Sequence, residues 1–441
     1  MALTSYNPRF EAPLKRPPTG IKQASFISPC KIAILGFGTV GRAVTRILTE
    51  TPHPSLGLTH IYNRSVQRKR ESWVDEKVKW TDSFDDVLAS DTRIVVELMG
   101  GLEPARSCIR QALLAGKSVV TANKHLLAKH GSELVELARK AGSRLEYGAS
   151  VAGGVPVLCA LQQGLAGDQL TKLSGVLNGT CNFILSNMES RESAFSDALL
   201  EAQRLGYAEA NPADDVNGLD ASCKLAILSR IALKVEIDPE QVATTPITSV
   251  RSFDFAAAKR IGCTIRQVSH GELNGRSLFA SVGPALVKLD SPLARTYDNQ
   301  NAVVTWGKYG GETVLSGCGA GGGPTAVAVV SDLLAIARRV PAPDHINCDD
   351  ELVRLPLGSD FSSEHYLRLS HGKMRSVSQL IRQKCKKHGI TAQSIARQNG
   401  GSANVQSAFV LSQCLHSVAT AIVDEVREQN RFLQPLLLPI R

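Results

Sequence analysis

A carboxylate and an amine stand four residues apart in a stretch of the chain that is otherwise apolar. The apolar pattern predicts a buried helix from Leu219 onward, and Asp220 and Lys224 share one face of it. A buried ammonium group is costly unless a carboxylate or a ligand accompanies it. The pair therefore suits proton transfer, because the carboxylate orients the amine and tunes its pKa. An ordinary intrahelical ion pair is the alternative, and spacing alone favours that alternative.

The loop before this helix has the composition of a substrate pocket. Residues 206–218 bring together several carboxylate and amide side chains, and Pro212 and Gly218 mark the segment as a loop. We therefore predict that residues 206–224 form the pocket in which the chemistry takes place.

Length and composition indicate a globular protein with more than one domain. A chain of 441 residues suffices for two or three domains, and it contains no run near the roughly 18 apolar residues of a membrane span. The first 29 residues lack the apolar core of a secretory signal, so we interpret them as a flexible leader. The ten cysteines include no CxxC pair, which favours reduced thiols and a cytoplasmic location over disulfides or structural zinc.

The net charge of +9 raises the question of nucleic acid as a partner. Residues 366–441 contain eleven Lys and Arg against three Asp and Glu, so nearly all of the excess lies in the tail. We expect no nucleic-acid and no membrane partner. Nucleic-acid binding through the basic tail remains a distant alternative, which predicts retention on DNA or RNA that depends steeply on salt.

A glycine-rich turn follows the first predicted strand, residues 31–35, and leads into a helical pattern at residues 42–48. The turn consists of Gly36, Phe37, Gly38, Thr39, Val40 and Gly41. The first glycine permits a tight turn, the second lets the backbone approach a pyrophosphate, and the third permits close packing of the helix. The order of strand, turn and helix predicts a Rossmann dinucleotide-binding domain.

Basic residues follow the second predicted strand, at residues 58–62. An NAD-specific site usually has Asp or Glu there, whereas this chain has Arg64 and, further on, Lys69 between two arginines. Guanidinium groups grip a 2′-phosphate, and a carboxylate would repel it. We therefore predict NADP as the preferred cofactor, with NAD possible. A merely solvated basic loop is the alternative.

Two more predicted strands, residues 93–98 and 118–121, end where a doubly wound sheet presents its ligand crevice. The residues expected there are Met99, Gly100, Thr121, Asn123 and Lys124. We expect the last three to meet the nicotinamide end of the cofactor and the substrate. Lys124 can alternatively be a surface residue at the start of the next helix.

Small residues fill positions 148–156, after the first domain. The backbone carbonyls of Val151, Gly153 and Val155 can coordinate a hard cation, although packing is the simpler role. A later glycine loop, which includes Gly319 and Gly321, is expected to return to the nicotinamide because glycines allow close approach.

These motifs together resemble the homoserine dehydrogenase family. The resemblance covers roughly residues 31–340. Its motifs are Gly-Phe-Gly-Thr-Val-Gly at 36–41, Val-Val-Glu-Leu-Met-Gly-Gly at 95–101, Thr-Ala-Asn-Lys at 121–124, Ser-Val-Ala-Gly-Gly-Val-Pro at 150–156, Leu-Asn-Gly-Thr at 177–180, the stretch 206–224 and Gly-Ala-Gly at 319–321. Such a density of matched motifs is specific to the family.

The resemblance implies interconversion of L-homoserine and L-aspartate 4-semialdehyde with a nicotinamide cofactor, in threonine and methionine biosynthesis. Lys224 is similar to the family's proton donor, with Asp220 beside it. Lys124 resembles the lysine between cofactor and substrate. This reverses the preference for a plain ion pair.

The resemblance also implies a substrate site, and the chain departs from the family pattern at two places. Glu209 looks like the carboxylate that holds the substrate ammonium group, and Gly179 and Thr180 are further substrate-pocket candidates. Gly148 stands where the family usually has a cation-ligating glutamate, so occupancy by a monovalent cation such as sodium is doubtful. The second departure is that Cys181 and Phe183 replace the usual threonine and tyrosine, which changes the polarity modestly.

The tail shows a β-α-β-β-α-β order that resembles an ACT regulatory domain. Its motif support is weak, because His371-Gly372-Lys373 replaces the usual Pro-Gly. Threonine as an effector is therefore a hypothesis. Pro435 and Pro439 are expected to confine the last strand to a sheet edge.

The predicted fold class is α/β: a Rossmann doubly wound parallel sheet, a second α/β substrate and dimerisation domain with a mixed sheet, and a small ferredoxin-like domain. The expected boundaries are 1–29 (leader), 30–150, 151–340, 341–362 (linker) and 363–441. A homodimer or a dimer of dimers is expected. A non-catalytic amino-acid sensor with this fold is the alternative, as is another semialdehyde dehydrogenase, which would need a catalytic cysteine that we do not identify.

Overall fold

The computed structural model of the chain describes residues 29–338, 352–358, 360–371, 377–400, 404–429 and 433–441. Nearly all of the predicted leader and much of the predicted linker lie outside these residues, as do two positions of the tail motif, Gly372 and Lys373. Within the described ranges, no helix is both long and apolar enough to cross a membrane.

The N-terminal part is a parallel sheet of six strands in the order β3-β2-β1-β4-β5-β6. Its strands are β1 (Cys30–Leu35), β2 (Leu56–Tyr62), β3 (Lys79–Thr81), β4 (Ile94–Glu97), β5 (Ser118–Thr121) and β6 (Leu145–Glu146). Its helices are α1 (Thr39–Glu50), α2 (Val66–Lys69), α3 (Phe84–Ala89), α4 (Ala105–Leu114) and α5 (Lys124–Lys140). The central strands are rich in Ile and Val and buried on both faces, as a parallel sheet covered by helices requires. This confirms the doubly wound prediction.

The middle part contains a mostly antiparallel sheet and the helices that carry the predicted pocket. Its helices are α6 (Val157–Cys159), α7 (Gly179–Arg191), α8 (Phe195–Arg204), α9 (Ala213–Val216), α10 (Leu219–Leu228), α11 (Ser252–Lys259) and α12 (Gly322–Ala337). Its strands are β7 (Leu170–Val176), β8 (Ala243–Thr244), β9 (Cys263–Asn274), β10 (Ser277–Lys288), β11 (Gln300–Gly307) and β12 (Gly311–Cys318). Helix α12 returns to the first sheet, where Val329 and Leu333 pack in one core with Val44 of α1.

The C-terminal part follows the predicted β-α-β-β-α-β order. After the short strand β13 (Leu357–Gly358) come β14 (Ser362–His371), α13 (Val377–Lys387), β15 (Ala392–Gly400), β16 (Asn404–Leu415), α14 (His416–Gln429) and β17 (Gln434–Ile440). The antiparallel order β17-β14-β16-β15 is the ferredoxin-like arrangement.

The prediction that the last strand lies at a sheet edge is wrong. Strand β17 pairs with β14 along its length and also meets β10, where Ile440 lies opposite Leu286. The Arg441 amide donates to the Leu286 carbonyl at 2.8 Å. Because this second pairing begins beyond Pro439, the missing proline N–H groups do not obstruct it. Strands of the middle and C-terminal parts therefore form one sheet of eleven strands.

A buried polar cluster also joins the C-terminal part to the middle part. Asp254 of α11 is fully buried, accepts a hydrogen bond from the Tyr366 hydroxyl at 2.7 Å and forms an ion pair with Arg368. Arg368 donates further to the Ser249 carbonyl at 3.1 Å. The cluster fixes strand β14 on helix α11.

Removing the cation from this cluster should cost far more stability than removing the hydroxyl. Arg368→Met leaves Asp254 buried without its ion-pair partner, a loss of about 3 to 5 kcal/mol. Tyr366→Phe removes one hydrogen bond, a loss of about 1 kcal/mol. Urea unfolding of both variants measures the difference. Equal losses would contradict the importance that we assign to the ion pair.

Candidate active site

One buried carboxylate holds two lysines from different parts of the fold. Asp220, 3% exposed, lies in the first turn of α10. Its Oδ1 is 2.7 Å from the Lys124 Nζ, and its Oδ2 is 2.7 Å from the Lys224 Nζ. Lys224 also donates to the Leu177 carbonyl at 2.8 Å. The three residues predicted to be catalytic therefore meet in one cluster.

The charges of this cluster stabilise one another. Burial alone would raise the pKa of Asp220, but the ammonium groups of Lys224 and Lys124 hold that pKa well below its usual range. The Asp220 carboxylate in turn raises the pKa of Lys124. Asp220 is consequently ionised throughout the neutral range, and Lys124 is a cation beside it.

Caps at helix ends set the positions of these side chains. Gly218 precedes α10 with a φ of +93°, in the left-handed region that favours glycine. Asn123 precedes α5, and its side chain accepts a hydrogen bond from the Leu126 amide at 3.2 Å. Lys124 is therefore the first residue of a capped helix that begins where strand β5 ends.

Sequence reasoning missed two members of the site, Asn178 and Asp215. The Asn178 Nδ2 donates to Asp220 at 2.9 Å and to Asp215 at 2.6 Å, while its Oδ1 caps α7 by accepting from the Cys181 amide at 2.8 Å. Burial, and then the charge of Asp220, raise the pKa of Asp215. The only sequence signals were an asparagine before the glycine at a strand end and a carboxylate within the pocket loop.

Two of the three predicted substrate residues lie beside the Asp220 cluster, and the third does not contact it. Gly179 begins α7, and the Thr180 hydroxyl donates to the Tyr207 carbonyl at 2.7 Å, so both lie beside Asn178. Glu209 is exposed on the loop after α8, and its carboxylate has no hydrogen-bond or ion-pair partner among the described residues. The structure does not bond Glu209 to the Asp220 cluster.

The glycine turn after β1 lines a cavity of about 350 Å³ at the end of the first sheet. A Cβ on Gly36 would lie 2.7 Å from the Leu98 carbonyl oxygen, and one on Gly41 would lie 2.2 Å from the Gly36 carbonyl oxygen, so larger residues do not fit. Gly38 has no atom within 4 Å of that position, which leaves its backbone open to a ligand. Predicted cofactor residues that line the cavity are Gly36, Phe37, Gly38, Arg64, Lys69, Met99 and Gly100.

The remaining predicted cofactor residues do not line this cavity. Thr39 borders an adjoining groove, and a Cβ on Gly322 would lie 3.0 Å from its Cγ2 atom. The glycine loop with Gly319 and Gly321 thus leads back to the first turn of α1, where Gly321 precedes α12 with a φ of +119°. Val40 packs into the core instead.

Comparisons with known proteins agree with this geometry. Residues 36–148 match the family model described as "Homoserine dehydrogenase, NAD binding domain", and residues 156–334 match the one described as "Homoserine dehydrogenase". The chain is 42% identical over 323 residues to the homoserine dehydrogenase of Mycobacterium bovis, which covers 70% of this chain and 73% of that protein. The chain belongs to the homoserine dehydrogenase family. It is therefore an NAD(P)-dependent oxidoreductase.

Solved structures of the family share the fold. The homoserine dehydrogenase from Thiobacillus denitrificans has a TM-score of 0.85 and 31% identity, with 94% of this chain and 98% of that chain covered. A hyperthermophilic archaeal homoserine dehydrogenase in complex with NADPH has a TM-score of 0.62 and 28% identity, with 71% and 99% covered. The first comparison extends over the C-terminal part as well.

In the turn predicted as a cation site, a carboxylate from another element stands where Gly148 has no side chain. Gly148 supplies no carboxylate, and the space that its Cβ would fill is taken by Asp332 of α12, 2.9 Å away. The Gly148 amide donates to Asp332 at 2.8 Å, and the Val155 carbonyl accepts from the Val157 amide at 2.7 Å. The cation site at Val151, Gly153 and Val155 stays a prediction, and we assign no step to a cation.

Asp332 makes stability depend on pH. Burial, and then the charge of Glu146, raise its pKa from 3.8 to about 7. The folded protein thus takes up a proton that the unfolded chain lacks between about pH 4 and 7, so the stability contribution of Asp332 falls as pH rises through this window.

Asp332→Asn should therefore stabilise the protein above pH 7 by about 1 to 3 kcal/mol, and by progressively less towards pH 4. The neutral amide keeps the acceptor for Gly148 and carries no charge to bury. Urea unfolding across this pH range, with the exposed Asp82→Asn as control, measures the effect. A constant difference between variant and wild type at all pH values would contradict the assignment.

Proposed function

We propose that the chain interconverts L-homoserine and L-aspartate 4-semialdehyde, with Lys224 as the group that transfers the proton. The observation that supports this is the arrangement of Asp220 between Lys124 and Lys224. This arrangement fixes the direction of the Lys224 amine and keeps its counter-charge, Asp220, ionised.

The hydrogen bonds of Lys224 explain how the proton is aimed. An ammonium group has three N–H donors, and two of them go to Asp220 and to the Leu177 carbonyl. The third N–H has no partner among the described residues and is available to a substrate oxygen. In the reducing direction it protonates the developing alkoxide, and in the oxidising direction the neutral amine accepts the hydroxyl proton.

Asp220 and Lys124 have supporting roles in this proposal. Because its pKa is held low, Asp220 does not take up the proton itself and remains the acceptor that orients both amines. Lys124 is partly exposed beside the pocket and stabilises negative charge that develops on the substrate oxygen. Glu209, Gly179 and Thr180 are proposed to bind the substrate, with Glu209 facing its ammonium group.

The crevice at the glycine turn fits a nicotinamide dinucleotide, which when bound supplies the hydride acceptor or donor. Gly38 leaves its backbone open to a pyrophosphate, and the N-terminus of α1 follows directly. Arg64 and Lys69 are proposed to hold a 2′-phosphate. Met99 and Gly100 line the crevice. Thr121 and Asn123 are buried beside it, and the Asn123 side chain donates to the Gly101 carbonyl.

The C-terminal part is proposed to be an ACT-like regulatory domain, with threonine as its effector. Its ferredoxin-like strand order supports this. We also propose that the protein is a homodimer or a dimer of dimers. A cytoplasmic location is proposed because the nine cysteines among the described residues are all free thiols. The boundaries 30–150, 151–340 and 363–441 are retained as proposed domains.

Removing the Lys224 amine should abolish most turnover and leave cofactor binding intact. Lys224→Met keeps the volume of the side chain, so kcat for homoserine oxidation should fall by roughly 10² to 10⁴. The measurement is steady-state kinetics together with NADPH binding by fluorescence. Lys129→Met, which removes another lysine paired with a carboxylate, is the matched control. Turnover in the Lys224 variant equal to that of the control would rule out the proton-transfer role.

Removing the Arg64 guanidinium should weaken NADP much more than NAD. A charge-assisted bond to a 2′-phosphate is worth about 1.5 to 3 kcal/mol, so Arg64→Ala should raise the KM for NADP by about tenfold to a hundredfold. Arg70→Ala serves as control, because Arg70 belongs to the same basic segment but does not line the cavity. The same loss for NADP and NAD would indicate a solvated basic loop instead.

A further inference from the structure

A second buried carboxylate, Glu97, lies at the end of strand β4 and has no role in the mechanism described above. It is fully buried and has no ion-pair partner among the described residues. Its Oε1 accepts from the Met99 amide at 2.7 Å and from the Gly100 amide at 3.1 Å. Its Oε2 accepts from the Thr121 hydroxyl at 2.6 Å. Burying a carboxyl group without an ion-pair partner is costly, so its place beside a ligand crevice points to a specific use.

The Thr121 hydroxyl continues this network towards the catalytic cluster. Because its proton goes to Glu97, its oxygen accepts from the Asn123 amide at 3.0 Å. The Asn123 side chain donates to the Gly101 carbonyl at 2.7 Å and caps α5. Lys124 is the next residue, and its Nζ is 2.7 Å from Asp220. Hydrogen bonds thus connect Glu97 to Asn123, and the peptide bond to Lys124 continues the connection to Asp220.

We infer that Glu97 is a positioning residue that holds the cofactor-facing loop, residues 99–101, and the helix start at Lys124 in a fixed relation. One carboxylate oxygen orders the loop, and the other orients Thr121 and, through Asn123, Lys124. Glu97 acts through these residues and does not itself touch the substrate. The inference rests on the proposed function for its catalytic arm, while its cofactor arm is independent of the substrate.

The two oxygens can be tested separately with Glu97→Gln and Glu97→Leu. The glutamine keeps its oxygen towards the Met99 and Gly100 amides and turns its NH₂ towards Thr121. Thr121 then receives two donors, and its own proton loses its acceptor. This variant should keep NADPH affinity within about twofold, whereas kcat for homoserine oxidation falls by roughly tenfold to a hundredfold. Glu97→Leu removes both arms and should also weaken NADPH by about tenfold.

Thr121 variants supply the coupling test. Thr121→Val should lower kcat by as much as Glu97→Gln does. The double variant Glu97→Gln/Thr121→Val should have the same kcat as either single variant, because each substitution breaks the hydrogen bond between Thr121 and Glu97. Thr121→Ser, which keeps the hydroxyl, should recover most of that loss. Stopped-flow turnover, NADPH titration and thermal unfolding of each variant give the three readouts.

The outcomes separate this inference from the proposed function. Multiplicative losses in the double variant, or a lowered melting temperature with unchanged kcat and NADPH affinity, would overturn the positioning role and leave Glu97 a structural residue. Absence of homoserine oxidation in the wild type would instead refute the proposed function. In that case equal NADPH affinity of Glu97→Gln and Glu97→Leu would still overturn the inference, and the expected difference would support its cofactor arm.

Discussion

The active site depends on one ion cluster, in which the Asp220 carboxylate holds Lys124 and Lys224. The two lysines come from different parts of the fold, since α5 belongs to the N-terminal part and α10 to the middle part. Burying a lone carboxylate is unfavourable, and two cations with the Asn178 amide offset that cost. The cluster therefore links the NAD-binding part to the middle part and also fixes the direction of the Lys224 amine, which we propose to transfer the proton.

The rest of the architecture serves to bring strand ends to this cluster. Strands β1, β4 and β5 are parallel, so the glycine turn, the loop after Glu97 and the start of α5 meet at one edge of the sheet. Strand β7 of the other sheet ends just before Leu177 and Asn178, which contact Lys224 and Asp220 directly. The C-terminal part is held against α11 by the ion pair of Arg368 with Asp254, and against the middle part by the pairing of β17 with β10.

Much of this could be predicted from the sequence because it is encoded locally. The spacing of Asp220 and Lys224, the glycine turn and the buried strands of the first sheet each depend on residues close together in the chain. Contacts between residues far apart in the chain could not be predicted in this way, because no local pattern encodes them. Asp332 reaches the place of the missing side chain at Gly148 from 184 residues further along, and β17 pairs with β10 although its prolines suggested an edge. Asp215 carries no local pattern that distinguishes it from a solvated loop carboxylate.

The most direct test of the role of the Asp220 cluster compares homoserine-dependent reduction of NADP by the purified protein and by its Asp220→Asn variant. The asparagine keeps the shape of the side chain but leaves Lys124 and Lys224 without their shared counter-charge. We predict turnover in the wild type and a loss of at least about a hundredfold in the variant, with NADPH binding retained. Turnover that is unchanged in the variant, or absent from a wild type that binds NADPH, would contradict it.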